Sequence, residues 1–198
     1  AANSSVSITI IDDDGAPNVI INNTRVVEGS SVSIPVTLSN SSELAVSVDY
    51  QSVNDTAVAG EDYTAISGTL TFAPGETNAV ISLVAIEDNL DEDDKDLNLV
   101  FSNPVNAELS RSSITVSIFD NDDSPAVSVG SPIVNEANNV VLTFALSDPS
   151  ARSSSFSYST LDGSAVSLQD YTTKSGTVTF LPGETIQTVE ISLIDDAI

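Results

Sequence analysis

Shifted by 108 residues, the sequence lies on itself, Ile11 to Leu90 pairing with Phe119 to Ile198 without a gap. Asp62-Tyr63-Thr64 falls on Asp170-Tyr171-Thr172, SGTLTFAPGET (Ser67 to Thr77) on SGTVTFLPGET (Ser175 to Thr185), Glu28 on Glu136, and Tyr50 on Tyr158. The opening SSVSITIIDDD, Ser4 to Asp14, falls in turn on SSITVSIFDND, Ser112 to Asp122. Self-similarity at a fixed period means that one structural unit is used more than once. It divides the chain into residues 1–14, the last strand of a preceding unit; residues 16–123, one complete unit; and residues 124–198, a unit without its last two strands. The chain is therefore expected to be a window onto a longer tandem array.

Within the complete unit, short apolar-rich runs follow one another at regular intervals: NVIINN, SVSIPVTL, AVSVDYQSV, GTLTF, AVISLVAI, DLNLVF and SITVSIF. Val32, Ile34, Val36 and Leu38 alternate with Ser33, Pro35 and Thr37, which gives a strand one buried and one wet face. Turn formers separate the runs, as in Asp13-Asp14-Gly15, Ser39 to Ser42, Ala73 to Glu76 and Asn103-Pro104. No segment sustains helical periodicity. The pattern predicts an all-β fold of tandem immunoglobulin-like seven-stranded β-sandwiches, without the Cys, Trp, Cys pattern of antibody domains. The recurring Tyr63 and Tyr171, Phe72 and Phe180, and Tyr50 and Tyr158 are expected to fill the cores. Glu76 and Glu184, each after Pro-Gly, are expected at turns.

The composition closes off whole chemistries. With no Cys and no His there is no thiol nucleophile, imidazole base or zinc finger. The formal net charge is −24, from 29 acids against five Lys and Arg. Those five, Arg25, Lys95, Arg111, Arg152 and Lys174, are scattered, so no basic face suits nucleic acid. Forty per cent of the chain is apolar, enough for packed cores, yet no run is long enough for a membrane span. A cysteine-free, acidic chain rich in Ser, Thr and Asn fits an extracellular protein, secreted or at a cell surface, whose charged partners are cations.

The acids are not spread evenly. They gather at strand ends, at Glu28, Asp62, Glu87 and Asp88, through Asp91 to Asp96, and at Asp120, Asp122 and Asp123, while the outward strand positions are Ser, Thr and Asn. IEDNLDEDDKD, Ile86 to Asp96, holds seven carboxylates and a single cation, Lys95. Two carboxylates about 4 Å apart repel by roughly 4 kcal/mol at an effective dielectric near 20. A calcium ion relieves that repulsion, because it takes six to eight hard oxygen ligands from flexible loops. Asp91 to Asp96 lacks the glycine of an EF-hand loop, and no calcium-binding nonapeptide occurs, so any such site is assembled from several loops.

VVEGS, AGEDYT, SGTLTFAPGET, AIEDNLDEDDKDLNLVFSNP and SITVSIFDND run in the order and spacing of a Calx-beta domain, which the chain resembles over one full unit, most of a second and the tail of a third. That family is known as a calcium-binding sandwich of sodium/calcium exchangers and of many bacterial surface proteins. The resemblance implies Ca2+ ligands at Glu28, Asp62, Glu87, Asp88, Glu92, Asp120 and Asp122, with Asp123 adjacent and a backbone carbonyl near Leu90. Lys95 stands where the family often has a further acid, and an ammonium offers no lone pair, which implies fewer ions, one or two. A second, partial set falls on Glu136, Asp170, Asp195 and Asp196, and a third on Asp12, Asp13 and Asp14; both lack their completing strands and are expected to bind weakly or not at all.

The resulting expectation is a non-enzymatic calcium-binding module of a repetitive extracellular protein, in which Ca2+ stiffens the joints between neighbouring repeats for adhesion or assembly. Its partners would be calcium ions, neighbouring repeats and cell-surface or matrix ligands. Four other readings stand beside it. A cadherin-like repeat also ends in acids, as FDNDDSP does, but the GxDY and PGET motifs favour Calx-beta. A glycan-binding module would lack Trp for stacking, and a carboxylate-pair hydrolase would need its acids in a cleft. The unpaired strand at one end and the unit short of strands at the other allow head-to-tail strand donation into a filament.

Overall fold

The computed structural model describes residues 5–9, 11 and 15–195, and holds only strands and loops among them. No helix of the described residues is long and apolar enough to cross a membrane. Asp12, Asp13, Asp14 and Asp196 lie outside the described residues, as does part of the strand expected over residues 1–14. Residues 5–9 and 11 are in no strand, and Val6, Ile8 and Ile11 are exposed. A strand exists through its ladder partners, and these residues pair with none here.

In chain order the strands are β1 (Asn18–Ile21), β2 (Thr24–Val27), β3 (Ser31–Leu38), β4 (Val46–Asn54), β5 (Ser67–Phe72), β6 (Asn78–Val84), β7 (Lys95–Val105), β8 (Glu108–Leu109) and β9 (Ser113–Phe119), followed by β10 (Val127–Val129), β11 (Val140–Leu146), β12 (Ser154–Ser159), β13 (Ser175–Phe180) and β14 (Ile186–Ile191). Contacts divide them into two compact units. One comprises Ser31–Ala85, Asp96–Ser117 and the described residues up to Val26; the other comprises Val27–Ser30, Ile86–Lys95 and the described residues from Ile118 onward. The contact boundary thus differs from the repeat boundary: three acid-bearing loops of the first repeat group with the second unit.

The first unit is built on two sheets, in the orders β6-β3-β1-β8 and β2-β9-β7-β4-β5. Alternation places Val19, Ile21, Ile34, Val36, Ile81 and Leu83 inside from the first sheet, and Val48, Phe72, Leu97, Leu99, Ile114 and Val116 inside from the second. All seven expected runs form strands. NVIINN gives up its strand early: β1 pairs with β3 in one sheet and, after Asn22-Asn23, β2 joins β9 in the other. The Asn23 side-chain oxygen accepts the Thr115 amide at 3.3 Å and marks that crossing.

Asn103-Pro104, expected as a turn, lies inside β7. There Asp49 pairs with Ser102 while Ser47 pairs with Val105, so β7 carries one residue more than β4 across this interval. Asn103 takes the left-handed conformation this requires, at φ 49°, and its amide donates to Asp49 Oδ2 at 3.0 Å. Thr69 donates to Asp49 Oδ1 at 2.6 Å, and these bonds hold the Asp49 carboxyl below its ordinary pKa.

Tyr63 and Phe72 are fully buried, and their counterparts Tyr171 and Phe180 nearly so. Tyr50 and Tyr158 are only half-buried: each ring lies over the cross-strand glycine it pairs with, Gly68 and Gly176, where a Cβ would come within 3.0 Å and 3.1 Å of the phenolic oxygen. Both cover glycine backbone, and Tyr158 also packs against the core of the second unit, its ring centroid 6.3 Å from that of Phe144. The Pro-Gly-Glu turns repeat atom for atom: Gly75 and Gly183 sit at φ 86° and 79°, Glu76 accepts the Ala73 amide at 2.8 Å, and Glu184 accepts the Leu181 amide at 2.9 Å. In the second unit the sheets are β10-β11-β14 and β12-β13, around a core of Phe144, Leu146, Tyr171, Val178, Phe180, Val189 and Ile191.

Asn103→Ala is expected to cost about 1 to 2 kcal/mol, the left-handed penalty for a residue with a Cβ and no local hydrogen bond. Urea unfolding measures this, and Asn103→Gly, which removes only the side-chain bond, should fall nearer wild type.

Candidate metal centre

The second unit collects its acids from three loops. Glu28 follows β2 in the turn to β3, where Gly29 has φ 69°. A Cβ on Gly29 would strike the Glu87 carboxylate, so glycine is what lets the 86–95 loop lie against this turn. The Glu28 amide donates to the Phe119 carbonyl at 3.0 Å, extending the β2 and β9 pairing by one residue and setting Glu28 beside Asp120. Carboxylate oxygens of Glu28, Asp120 and Asp122 all lie within 4.8 Å of one another, the one such acidic triad among the described residues.

Backbone and amide donors hold the triad from outside. Asn121 donates to the Glu28 carbonyl and to Glu87 Oε2, both at 3.3 Å. The Glu92 amide reaches Asp120 Oδ2 at 3.2 Å, and the Asp120 amide reaches Asp94 Oδ1 at 3.2 Å. The Asp122 Oδ2 atom is buried and has no hydrogen-bond partner.

The electrostatics follow from this crowding. Glu28 is 6% exposed, and burial, reinforced by Asp88, Glu92, Asp120 and Asp122, pushes its carboxyl up to about 7. Asp122 is also raised, by burial first and then by Asp120, Glu87 and Asp88. Three hard carboxylates, one with a buried oxygen that no protein donor satisfies, fit the donor chemistry of calcium. Glu28, Asp120 and Asp122 would hold such an ion directly.

The other expected ligands are placed less directly. Glu87 and Asp88 act on the triad through their charge, and Asp88 Oδ1 accepts the Leu90 amide at 2.7 Å. Glu92 is ion-paired with Lys95, so the Lys95 ammonium does neutralise a neighbouring carboxylate. Asp123 is exposed. Asp62, in the first unit, is buried, and its Oδ2 accepts the Val58 amide at 2.5 Å. Asp170 repeats this with Val166 at 2.6 Å, so part of what conserves this acid between the repeats is turn closure. Glu136 and Asp195 are exposed, and they form no acidic triad with Asp170 among the described residues. Glu136 and Asp170 line instead a cavity of about 650 Å³ with Val140, Leu142, Tyr171 and Leu193.

Sequence reasoning placed Asp91 and Asp94 in the acidic loop without assigning them partners, and did not find Asn121 or Arg152 in this cluster. The one available signal was a break in the repeat, since Arg152 falls on Leu44.

The Calx-beta domain family model matches residues 12–122 and again 120–198. The chain belongs to the Calx-beta domain family. It is 29% identical over 174 residues to the sodium/calcium exchanger 1 of Canis lupus familiaris, a match covering 76% of this chain and 18% of that protein. It is 38% identical over 155 residues to extracellular matrix protein 3 of Lytechinus variegatus, covering 71% of this chain and 5% of that protein. The Calx-beta chain thus spans less than a fifth of the length of these relatives. Among solved structures it resembles the calcium binding domain CBD12 of CALX1.1, with a TM-score of 0.50 and 21% identity, covering 91% of this chain and 76% of that one. This likeness bears on the fold, an all-β tandem sandwich.

Two outcomes follow. In chelator, Glu28 keeps its proton in the folded chain up to about pH 7 but loses it near the ordinary 4.5 when unfolded. The folded state therefore binds more protons between those values, and stability falls as pH rises from 4.5 to about 7, levelling above it. Thermal melts across that range measure the slope, and Glu28→Gln should flatten it. Asp170→Ala removes a charged acceptor from the Val166 amide and should cost roughly 1 to 3 kcal/mol, equally with and without calcium.

Proposed function

We propose that the chain is a calcium-binding structural module of a repetitive extracellular protein, in which Ca2+ stiffens the joint between repeats and supports adhesion or assembly. One observation carries the reading: Glu28, Asp120 and Asp122 converge within 4.8 Å while an oxygen of Asp122 is buried without a partner. At an effective dielectric near 20, each ionised pair at such a distance repels by about 3 to 4 kcal/mol. A divalent cation turns that cost into attraction.

The place of the triad supports the mechanical part. Asp120 and Asp122 end the segment that leaves β9, and β10 begins at Val127. An ion bound to both and to Glu28 fastens the exiting chain to the β2 turn and shortens the free linker. A sodium/calcium exchanger and a calcium binding domain among the similar proteins support calcium as the ion. The similarity to an extracellular matrix protein supports a place outside the cell. The module itself is non-catalytic in this reading, its acids serving as ligands.

Calorimetric titration with calcium, run beside thermal melting, tests it. Extracellular calcium modules bind at about 10⁻⁴ to 10⁻³ M. At a hundredfold excess over the dissociation constant, the ion adds about 2.7 kcal/mol to the folded state. Asp120→Ala and Asp122→Ala should each abolish that gain. A melting temperature that is the same in chelator and in 10 mM calcium, a concentration on the order of ten or more dissociation constants, would refute the proposal.

A further inference from the structure

Asp91 lies in the acidic loop but outside the triad, and it is one of the few buried acids, 5% exposed. Its oxygens are all taken. Oδ2 accepts the Ser150 hydroxyl at 2.6 Å, and Oδ1 accepts Arg152 Nη1 at 2.6 Å and the Ser124 hydroxyl at 3.3 Å. Its backbone carbonyl accepts the Ala151 amide at 2.9 Å and the Ser150 hydroxyl at 3.1 Å. The Ser150 loop is itself anchored, since the Ser150 carbonyl accepts the amide of Gly183 in the Pro-Gly-Glu turn at 2.9 Å.

Arg152 spends the rest of its fork on the same loop. Nε donates to Asp93 Oδ1 at 2.9 Å, Nη2 lies 2.7 Å from that oxygen, and Nη2 also donates to the Glu92 carbonyl. A planar guanidinium, always charged, suits two carboxylates and a carbonyl at once. Three hard oxygens around one positive group is also how a calcium ion begins its coordination. The field of Asp120, a member of the triad, reaches the same guanidinium.

We propose that Arg152 is the resident counter-cation of the acidic loop and sets its metal capacity. By occupying Asp91, Asp93 and the Glu92 carbonyl, it holds the loop in shape without a metal and confines divalent cations to the Glu28, Asp120 and Asp122 triad. Lys95 on Glu92 completes this division, so that two protein cations serve the loop and metal serves the triad. The proposal rests on the calcium reading above and adds to it a rule for how many ions bind.

Counting bound calcium per chain, by equilibrium dialysis in saturating calcium, tests it on the wild type, R152A, R152K and D93N. R152A is expected to bind one ion more than the wild type, and R152K, which keeps the charge, the same number as the wild type. D93N, at a surface carboxylate that Arg152 already occupies, should keep the wild-type count with an affinity within about twofold. This variant needs no fold rescue, since the Asp93 side chain is 89% exposed. An unchanged or lower count in R152A when folded, a gain in R152K equal to that of R152A, or a lost ion in D93N each overturns the proposal. If the wild type binds no ion, the calcium reading fails; a gained ion in R152A would then still uphold the role of Arg152, and no gain would remove both.

Discussion

A single backbone hydrogen bond, from the Glu28 amide to the Phe119 carbonyl, brings a buried glutamate to the end of the strand that Asp120 and Asp122 follow. Sheet pairing forces this approach, because β2 and β9 are neighbours whose ladder runs one residue past the last apolar side chain. The energy that holds the acids together is the burial of Val26, Ile114, Val116 and Ile118 on the same two strands. The fold therefore imposes a charge problem on its own edge. Glu28 answers it in the metal-free chain by keeping its proton to about pH 7. On the calcium reading proposed above, a divalent cation would answer the same constraint and so compete with that proton.

The charge of the acidic loop is settled differently from that of the triad. Asp91, Glu92 and Asp93 each have a cationic side chain or a hydroxyl against them. Glu28 and Asp122 are raised by burial and by their acidic neighbours. An ion pair whose guanidinium is 44% exposed is seldom a large net gain, since water screens it, but a forked one does fix geometry. Arg152 and Ser150 give the loop a shape that does not wait for metal, and the loop in turn presents the Glu92 amide to Asp120. The triad and the guanidinium end are connected through that amide and through the Asp120 amide, which donates to Asp94.

The strands and their alternation were legible in the sequence because each buried face writes a period of two into it, and the repeat gave a second copy of most runs, though not of DLNLVF. What escaped were features set by pairing across distance. Asn103-Pro104 has turn composition, and only its register opposite Ser47 and Asp49 makes it a bulge. Tyr158 packs against its core as expected, but the cover that Tyr50 and Tyr158 give to Gly68 and Gly176 is set by cross-strand pairing. In the site, Glu28, Asp120 and Asp122 were readable from resemblance. Arg152 was not, since a lone arginine in a Ser-rich loop carries no local signature of a partner some sixty residues earlier.

Recurrence of an acid between repeats is weaker evidence for a ligand than it first looks. Asp62 and Asp170 recur with the same hydrogen bond to an amide four residues before them, so a turn alone would select both. Glu28 and Glu136 recur as well, yet Glu28 is buried against two further acids while Glu136 is exposed. The difference lies in β9, which brings Asp120 and Asp122; the described part of the second repeat has no strand in that place. The acidic triad is thus a property of two paired strand ends rather than of any one motif. In a tandem array it would recur wherever a β2-like turn and a β9-like end meet, and under the proposal above its metal capacity would depend on which cation the following repeat offers in the place of Arg152.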